Sequence, residues 1–232
     1  MKIDGTECPR TGTEAKSELK ALQSQINPHF LYNTLDSIIW MAEGKKYEDV
    51  VLMTASLARL LRQSISNEDE TVLIGQEIQY VKSYLTIQKM RYKDKLEFEI
   101  NVDPSINSVH IVKLVLQPIV ENAIYHGLKY KESKGMLTVN GYQKDGNAVI
   151  EIADDGVGMD EDKIKELNRE NISSNEKSFG LRGTIERMRI FYESDIDYTI
   201  QSTKGKGTTI VLRVPVCYEG DEGHDESIAC GG

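Results

Sequence analysis

Five short stretches of the chain hold residue types that could handle phosphate chemistry. In ENAIYHG, residues 121–127, Asn122 and His126 stand four apart on an expected helix. A neutral amide oxygen is a hard ligand of the kind Mg²⁺ takes while it bridges substrate phosphates, although a lone asparagine can equally bond a neighbouring loop. In DDGVGM, residues 154–159, two glycines one residue apart let the backbone turn sharply and approach a ligand closely. Asp154, at the end of an expected strand, could accept a hydrogen bond from an adenine amino group; the plainer use is an Asp-Gly turn. A calcium loop is excluded, because aligning Gly156 with the required glycine puts Ala153 where an oxygen ligand must stand. NEKSFGLRG, residues 175–183, ends a polar stretch at Gly180 before a helix from Leu181, and the free N–H groups of such a helix start suit a triphosphate. KGKGTT, residues 204–209, sets Gly205, Gly207 and Thr208 before a last strand and alone reads as a hairpin turn. The fifth stretch, QSQINPHFLYNTLDS at residues 23–37, reads as one helix with Pro28 inside it and His29 directly behind. A proline there costs roughly 3 kcal/mol in a lost hydrogen bond and a clash with the preceding turn, so it implies a kink or a purpose.

The elements that must position these residues fall into two groups. Glu14 to about Glu43 reads as a long helix with Leu31, Leu35 and Ile38 as one apolar stripe. His29 lies on nearly the opposite side, in line with Leu22, Ile26, Asn33 and Trp40. A second helix, about Tyr47 to Ser64, turns Leu57, Leu60 and Leu61 inward. Such a hairpin is too thin to bury both apolar faces alone, so pairing with a second copy into a four-helix bundle is expected. After SNEDET a new unit opens with a helix near Leu73 that carries Ile74, Ile78, Val81 and Leu85 on one face. There follow strand KLEFEINV, helix IVKLVLQPIVENAIYHG, strands GMLTVNGYQ and NAVIEIADD, helix LRGTIERMRIFYE, and strands DYTIQST and TTIVLRVP. Helices and strands mix without strict alternation. The fold class is therefore α+β: a helical hairpin, then an α/β sandwich with helices on one face of a mixed sheet.

Composition narrows the function. With 232 residues and a formal charge of -9, the chain has no broad basic field, so nucleic acid is not an expected partner. Cys8, Cys217 and Cys230 are odd in number and far apart, which suggests neither a disulfide framework nor a zinc site and fits a reducing cytoplasm. No apolar run reaches the ~18 residues needed to cross a bilayer. Residues 1–13 read as a fragment start or vector-derived, and the acidic residues 217–232 as a disordered tail. The organisation expected is a hairpin over 14–70 and a nucleotide-binding unit over 71–216.

No G-x-x-x-x-G-K-[ST] occurs, nor a G-x-G-x-x-G between strand and helix, so the commoner phosphate loops are absent. The order N-A-x-x-H, D-x-G-x-G, G-L before a helix and G-x-G-T resembles the boxes of the Bergerat ATP-binding fold. The stretches LQSQINPHFLYNTL, YLTIQKMRYKDKLEFEI and LQPIVENAIYHGL resemble LytS-type sensor histidine kinases, over about residues 19–215. By that resemblance Asn122 holds Mg²⁺, Asp154 reads adenine, Gly156 and Gly158 admit the base, and residues 160–180 form a lid. His126, Gly180, Leu181, Gly207 and Thr208 line the rest of an ATP pocket, and His29 takes the γ-phosphoryl group.

The resemblance further implies a homodimer, a response-regulator receiver aspartate as the next acceptor, and an upstream membrane sensor that would hold this part at the cytoplasmic face. Two departures matter. Pro118 stands where hydrolytic relatives of the fold keep a water-activating glutamate, which favours transfer to an acceptor other than water. Phe30 stands where many histidine kinases keep an acid, so the proton's destination stays open between Asp36, on the same side of the helix, and Glu121. Asn33 matches the spacing of a polar residue that related kinases use to orient water in dephosphorylating a partner. A nucleotide-dependent scaffold without chemistry, and a serine kinase of the anti-sigma type, are the alternative readings.

Overall fold

A computed structural model describes residues 28–65, 71–167, 183–185, 188, 192 and 197–216. The chain forms two units that divide between Asn67 and Glu68. The expectations for residues 1–27, for the acidic end, for the three cysteines and for Gly180 and Leu181 lie outside the described residues. Among the described residues no helix is long and apolar enough to cross a membrane.

The first unit is a hairpin of α1 (Pro28–Glu43) and α2 (Tyr47–Ile65). Its turn is closed by Gly44 N–H to Trp40 O and Lys46 N–H to Met41 O, at 3.0 and 2.9 Å. The residues α1 buries are Phe30 and Thr34, and Thr34 Oγ1 donates back to Phe30 O at 2.7 Å. From α2 come Met53, Ser56, Leu57 and Leu60. The stripe expected to be buried, Leu31, Leu35 and Ile38, is instead half-buried or exposed. One partner helix covers only one side of α1, and that side is the one centred on Phe30 and Thr34.

The second unit is built on a five-stranded sheet in the order β2-β4-β5-β7-β6. The strands are β2 (Leu96–Val102), β4 (Gly135–Lys144), β5 (Asn147–Asp154), β6 (Asp197–Thr203) and β7 (Gly207–Pro215). Only β2 and β4 run parallel, so the sheet is mixed. Along β4 the buried Leu137, Val139 and Gly141 alternate with half-buried Met136, Thr138 and Asn140, the period-2 pattern of a sheet covered on one face. That face meets α3 (Ile74–Tyr92), whose Ile74, Ile78, Val81 and Leu85 are buried as their spacing predicts. Residues 183–185, 188 and 192 are helical, and Ile185 and Met188 are buried.

The stretch predicted as one helix from Ile111 to Gly127 is divided. Residues His110–Val112 form β3, paired antiparallel with a three-residue β1 (Thr71–Leu73) that hydropathy does not announce. Leu114 then adopts φ +58°, and α4 starts only at Leu116 and ends at Asn122. Pro118 falls in its first turn, where a missing N–H costs nothing. The reason for the division is on α3. The carboxylate of Glu77, 3% exposed, accepts N–H bonds from Leu114 at 2.8 Å, Val115 at 3.1 Å and Leu116 at 3.2 Å. These are orphan donors of a helix start, and one buried carboxyl group satisfies them together. Ile74 N–H to Val109 O and Gly75 N–H to Asn107 O tie the same two segments.

Replacing Glu77 with alanine takes the acceptor from three donors, two of them buried. Glu77→Ala should lower unfolding free energy by about 2 to 3 kcal/mol in urea titration; a midpoint equal to wild type would show that the clamp carries no stability.

Candidate functional site

The site forms where three of the expected stretches converge on one carboxylate. Asp154 is the last residue of β5, opposite Leu137 on β4 and Thr208 on β7. Its Oδ1 accepts the Gly156 N–H at 2.9 Å, and the Thr208 N–H also donates to the carboxylate. Burial nevertheless dominates and raises its acid to about 6, with the two N–H bonds pulling the other way.

Four glycines are crowded at this crossing, Gly127 by the Asp154 side chain and the other three by backbone. A Cβ on Gly127 would lie 2.5 Å from Asp154 Oδ1, and one on Gly207, at φ +108°, 1.9 Å from Asp154 O. A Cβ on Gly156 would stand 2.4 Å from the Gly127 carbonyl carbon, and one on Gly158 2.1 Å from Thr203 O. Gly156 and Gly158 admit the backbone of a neighbouring segment, which a side chain at either position would strike. Val157 N–H to Gly127 O and Gly205 N–H to Val157 O, at 3.2 and 2.7 Å, lock the crossing. Ser202, which sequence spacing does not mark, accepts the Met159 N–H and donates to Gly207 O, and its hydroxyl pairs with that of Thr208.

Asp155, the second acid of the pair, turns away from Asp154. It takes the Met136 N–H at 2.8 Å and the Lys131 ammonium at 2.7 Å. The KGKGTT stretch is the β6–β7 hairpin turn its glycines suggest, and it also supplies Gly207 and Thr208 to the carboxylate.

The helix carrying Asn122 does not continue as α-helix. Ala123–Gly127 widens into a π turn, with Leu128 N–H reaching both Ala123 O and Ile124 O; such turns recur at functional sites. Asn122 is half-buried and makes no side-chain hydrogen bond among the described residues, whereas His126 is exposed. The expected alignment of the two on one α-helical side is thereby loosened. The described residues hold no cluster of three or more His, Cys, Asp or Glu able to bind a metal. An amide oxygen with its other partners supplied by phosphate and water is a donor set Mg²⁺ accepts, so Asn122 fits the role of a single protein ligand.

Glu121 points elsewhere. Its carboxylate accepts from Gln117 Nε2 at 2.7 Å, burial raises its acid, and its charge is felt by the Tyr84 phenol on α3. It is a half-buried carboxyl at the α3–α4 contact.

In the other unit His29 is exposed on α1, and Asn33 Nδ2 lies 3.1 Å from each of its ring nitrogens. Equal distances mean that the amide steadies the ring without lining up with either lone pair. Ser37 Oγ donates to Asn33 O at 2.7 Å one turn further on. Asp36 is exposed and seven residues from His29, about 10 Å of helix rise. Direct contact between the two within one helix is therefore out of reach, which narrows the part expected of Asp36.

Two family models match the chain: Histidine kinase over residues 17–96, and Histidine kinase-, DNA gyrase B-, and HSP90-like ATPase over residues 108–217. The sensor histidine kinase YesM of Bacillus subtilis (strain 168) is 37% identical over 200 residues, covering 86% of this chain and 33% of that protein. The sensor protein LytS of Oceanobacillus iheyensis is 29% identical, covering 92% of this chain and 37% of that protein. The Bacillus subtilis protein YwpD is 30% identical over 86% of this chain and 70% of its own length. The chain thus spans about a third of the length of the two sensor proteins.

The raised acid of Asp154 has a signed consequence. The folded chain binds this proton more tightly than the unfolded chain, whose carboxyl titrates near 3.8. The contribution to stability is fully present below pH 3.8 and is lost as pH rises through about 6. Asp154→Asn should flatten that segment of the stability profile in urea titrations across the window, and an unchanged slope would show that another group titrates there.

Proposed function

The chain belongs to the sensor histidine kinase family, and from that premise we propose that it transfers the γ-phosphoryl group of ATP to His29. The observation that carries this reading is the convergence of the Asn122 helix end, the Asp154 turn and the Gly207–Thr208 strand start on one half-buried carboxylate, in a chain that elsewhere displays an exposed, amide-steadied imidazole. Asp154, ionised above pH about 6, accepts from the adenine amino group. Asn122 is the protein ligand of Mg²⁺, which when bound neutralises phosphate charge. Gly180, Leu181 and His126 are assigned to the rest of the ATP pocket by their place in the motif order.

In the transfer step an unprotonated ring nitrogen of His29 forms the N–P bond as the bond from the γ-phosphorus to the β,γ-bridging oxygen breaks. ADP departs with that electron pair. The imidazolium left behind gives up the proton of its other nitrogen, through water, with Asp36 as the nearest acid on its side of α1. An imidazole titrating near pH ~6.5 is ready for this at neutral pH. Positioning and charge neutralisation supply the catalysis, and Pro118 in place of an acid leaves water without a base. The phosphoryl group then passes to a receiver aspartate of a response regulator, and Asn33 is placed to orient water at that stage. In a longer protein a membrane sensor segment would hold this part at the cytoplasmic face.

The hairpin surface supports a homodimer. Tyr32, Leu35, Ile39 and Trp40 on α1 and Val51 and Leu52 on α2 are 43 to 77% exposed, an apolar surface suited to a second copy in a four-helix bundle. Ile39→Asp should shift the chain from dimer to monomer in sedimentation velocity; a dimer that survives this change would place the interface elsewhere.

Incubation with γ-labelled ATP tests the transfer itself. Wild type should acquire acid-labile, alkali-stable label, His29→Gln should acquire none while binding nucleotide as wild type does, and Asn122→Ala should lose both labelling and magnesium-dependent binding. Acid-stable label would indicate a serine acceptor. Nucleotide bound with no label in wild type would indicate a scaffold.

A further inference from the structure

The second unit carries buried polar groups where apolar ones would pack as well. Glu77, Tyr84 and Gln88 on α3 are 3%, 2% and 0% exposed. Glu77 and Tyr84 are seven residues apart, so they lie on one side of α3, with Gln88 one turn beyond Tyr84. Buried polar groups are costly unless paired, and the pairing here leads to the ends of the short helix that terminates at Asn122. Glu77 holds the start of α4 through three N–H groups. Tyr84 faces its end, where the neighbouring charges and hydroxyls are those of Glu121 and Tyr125.

The direction of this second contact follows from donor chemistry. Arg91 can only donate, and its Nη1 lies 3.2 Å from Gln88 Oε1. That fixes the amide, so Gln88 Nε2 donates to Tyr84 Oη at 2.7 Å. The Tyr84 hydroxyl also neighbours the Tyr125 phenol, three residues past Asn122. A helix of seven residues does not hold its own shape in water. What fixes the direction in which Asn122 projects is the grip on its two ends.

We infer that α3 is a positioning element for the metal ligand Asn122, with Glu77 and Tyr84 as the positioning residues at the two ends of α4. This rests on the reading of Asn122 as the protein ligand of Mg²⁺. Neither residue touches nucleotide. Their loss misplaces the amide oxygen while leaving the adenine side of the site, around Asp154, as it was.

The test is a comparison of nucleotide affinities by calorimetry on the whole chain, for ATP with Mg²⁺, for ATP with the metal chelated, and for AMP. Tyr84→Phe keeps the ring and removes the hydroxyl; Glu77→Gln keeps an acceptor and removes the charge. Each should weaken Mg²⁺-ATP binding about tenfold, as loss of a group that orients a metal ligand typically does, with AMP and metal-free ATP affinities unchanged and far-ultraviolet circular dichroism preserved. Equal losses for all three ligands, or no loss, would overturn the inference. If wild type binds ATP no better with Mg²⁺ than without, or Asn122→Ala behaves as wild type, the metal assignment itself fails, a result distinct from failure of α3 as its positioner.

Discussion

A carboxylate sealed between two helices sets the geometry of the nucleotide-binding unit. Without Glu77, the start of α4 would present its orphan N–H groups to an apolar core, and the left-handed turn at Leu114 would have nothing to hold it. With it, the segment after Val112 must leave β3, turn at Leu114 and enter α4 at a fixed point. Asn122 inherits its place from that point. The strand pair β1–β3 and the bonds from Ile74 and Gly75 to the loop below reinforce the same junction. Gly75 packs tightly there, since a Cβ would stand 3.1 Å from Asn107 O.

The second constraint is the crossing of chains at Asp154. Gly127, Gly156 and Gly207 bring the end of the π turn, the loop after β5 and the start of β7 into backbone contact around one side chain. The carboxylate is thereby desolvated, which raises its acid to about 6, and two N–H groups keep it oriented. An acceptor held this way is a less stable feature of the empty fold at neutral pH than a solvated aspartate would be. Such a loss of stability is of the kind binding sites routinely carry.

The hairpin obeys a different logic. Its two helices bury Phe30, Met53, Leu57 and Leu60 against each other and leave Tyr32, Leu35, Ile39 and Trp40 outside. His29 lies next to the buried Phe30 yet is itself exposed, with Asn33 one turn on holding its ring. A polar i, i+4 neighbour on a helix gives an exposed ring a defined position.

The sequence by itself determined the five strands of the main sheet and the turn after Asp154, because period-2 alternation and glycine placement are local signals. The strands β6 and β7 end close to where alternation says they should, and Asp154 falls at the strand end as expected. Tertiary structure decided the rest. Ile111 and Val112 read as helix by their neighbours, but became strand because β1, forty residues earlier, offered a partner. Which stripe of α1 is buried depended on where one other helix lies, which no periodicity within α1 encodes. The glycines were legible as glycines, while their reason, a Cβ that would strike another segment's backbone, exists only once β5, β7 and the π turn meet. Glu77, Tyr84 and Gln88 look like ordinary polar positions of an amphipathic helix, and only the approach of α4 turns them into the groups that hold it.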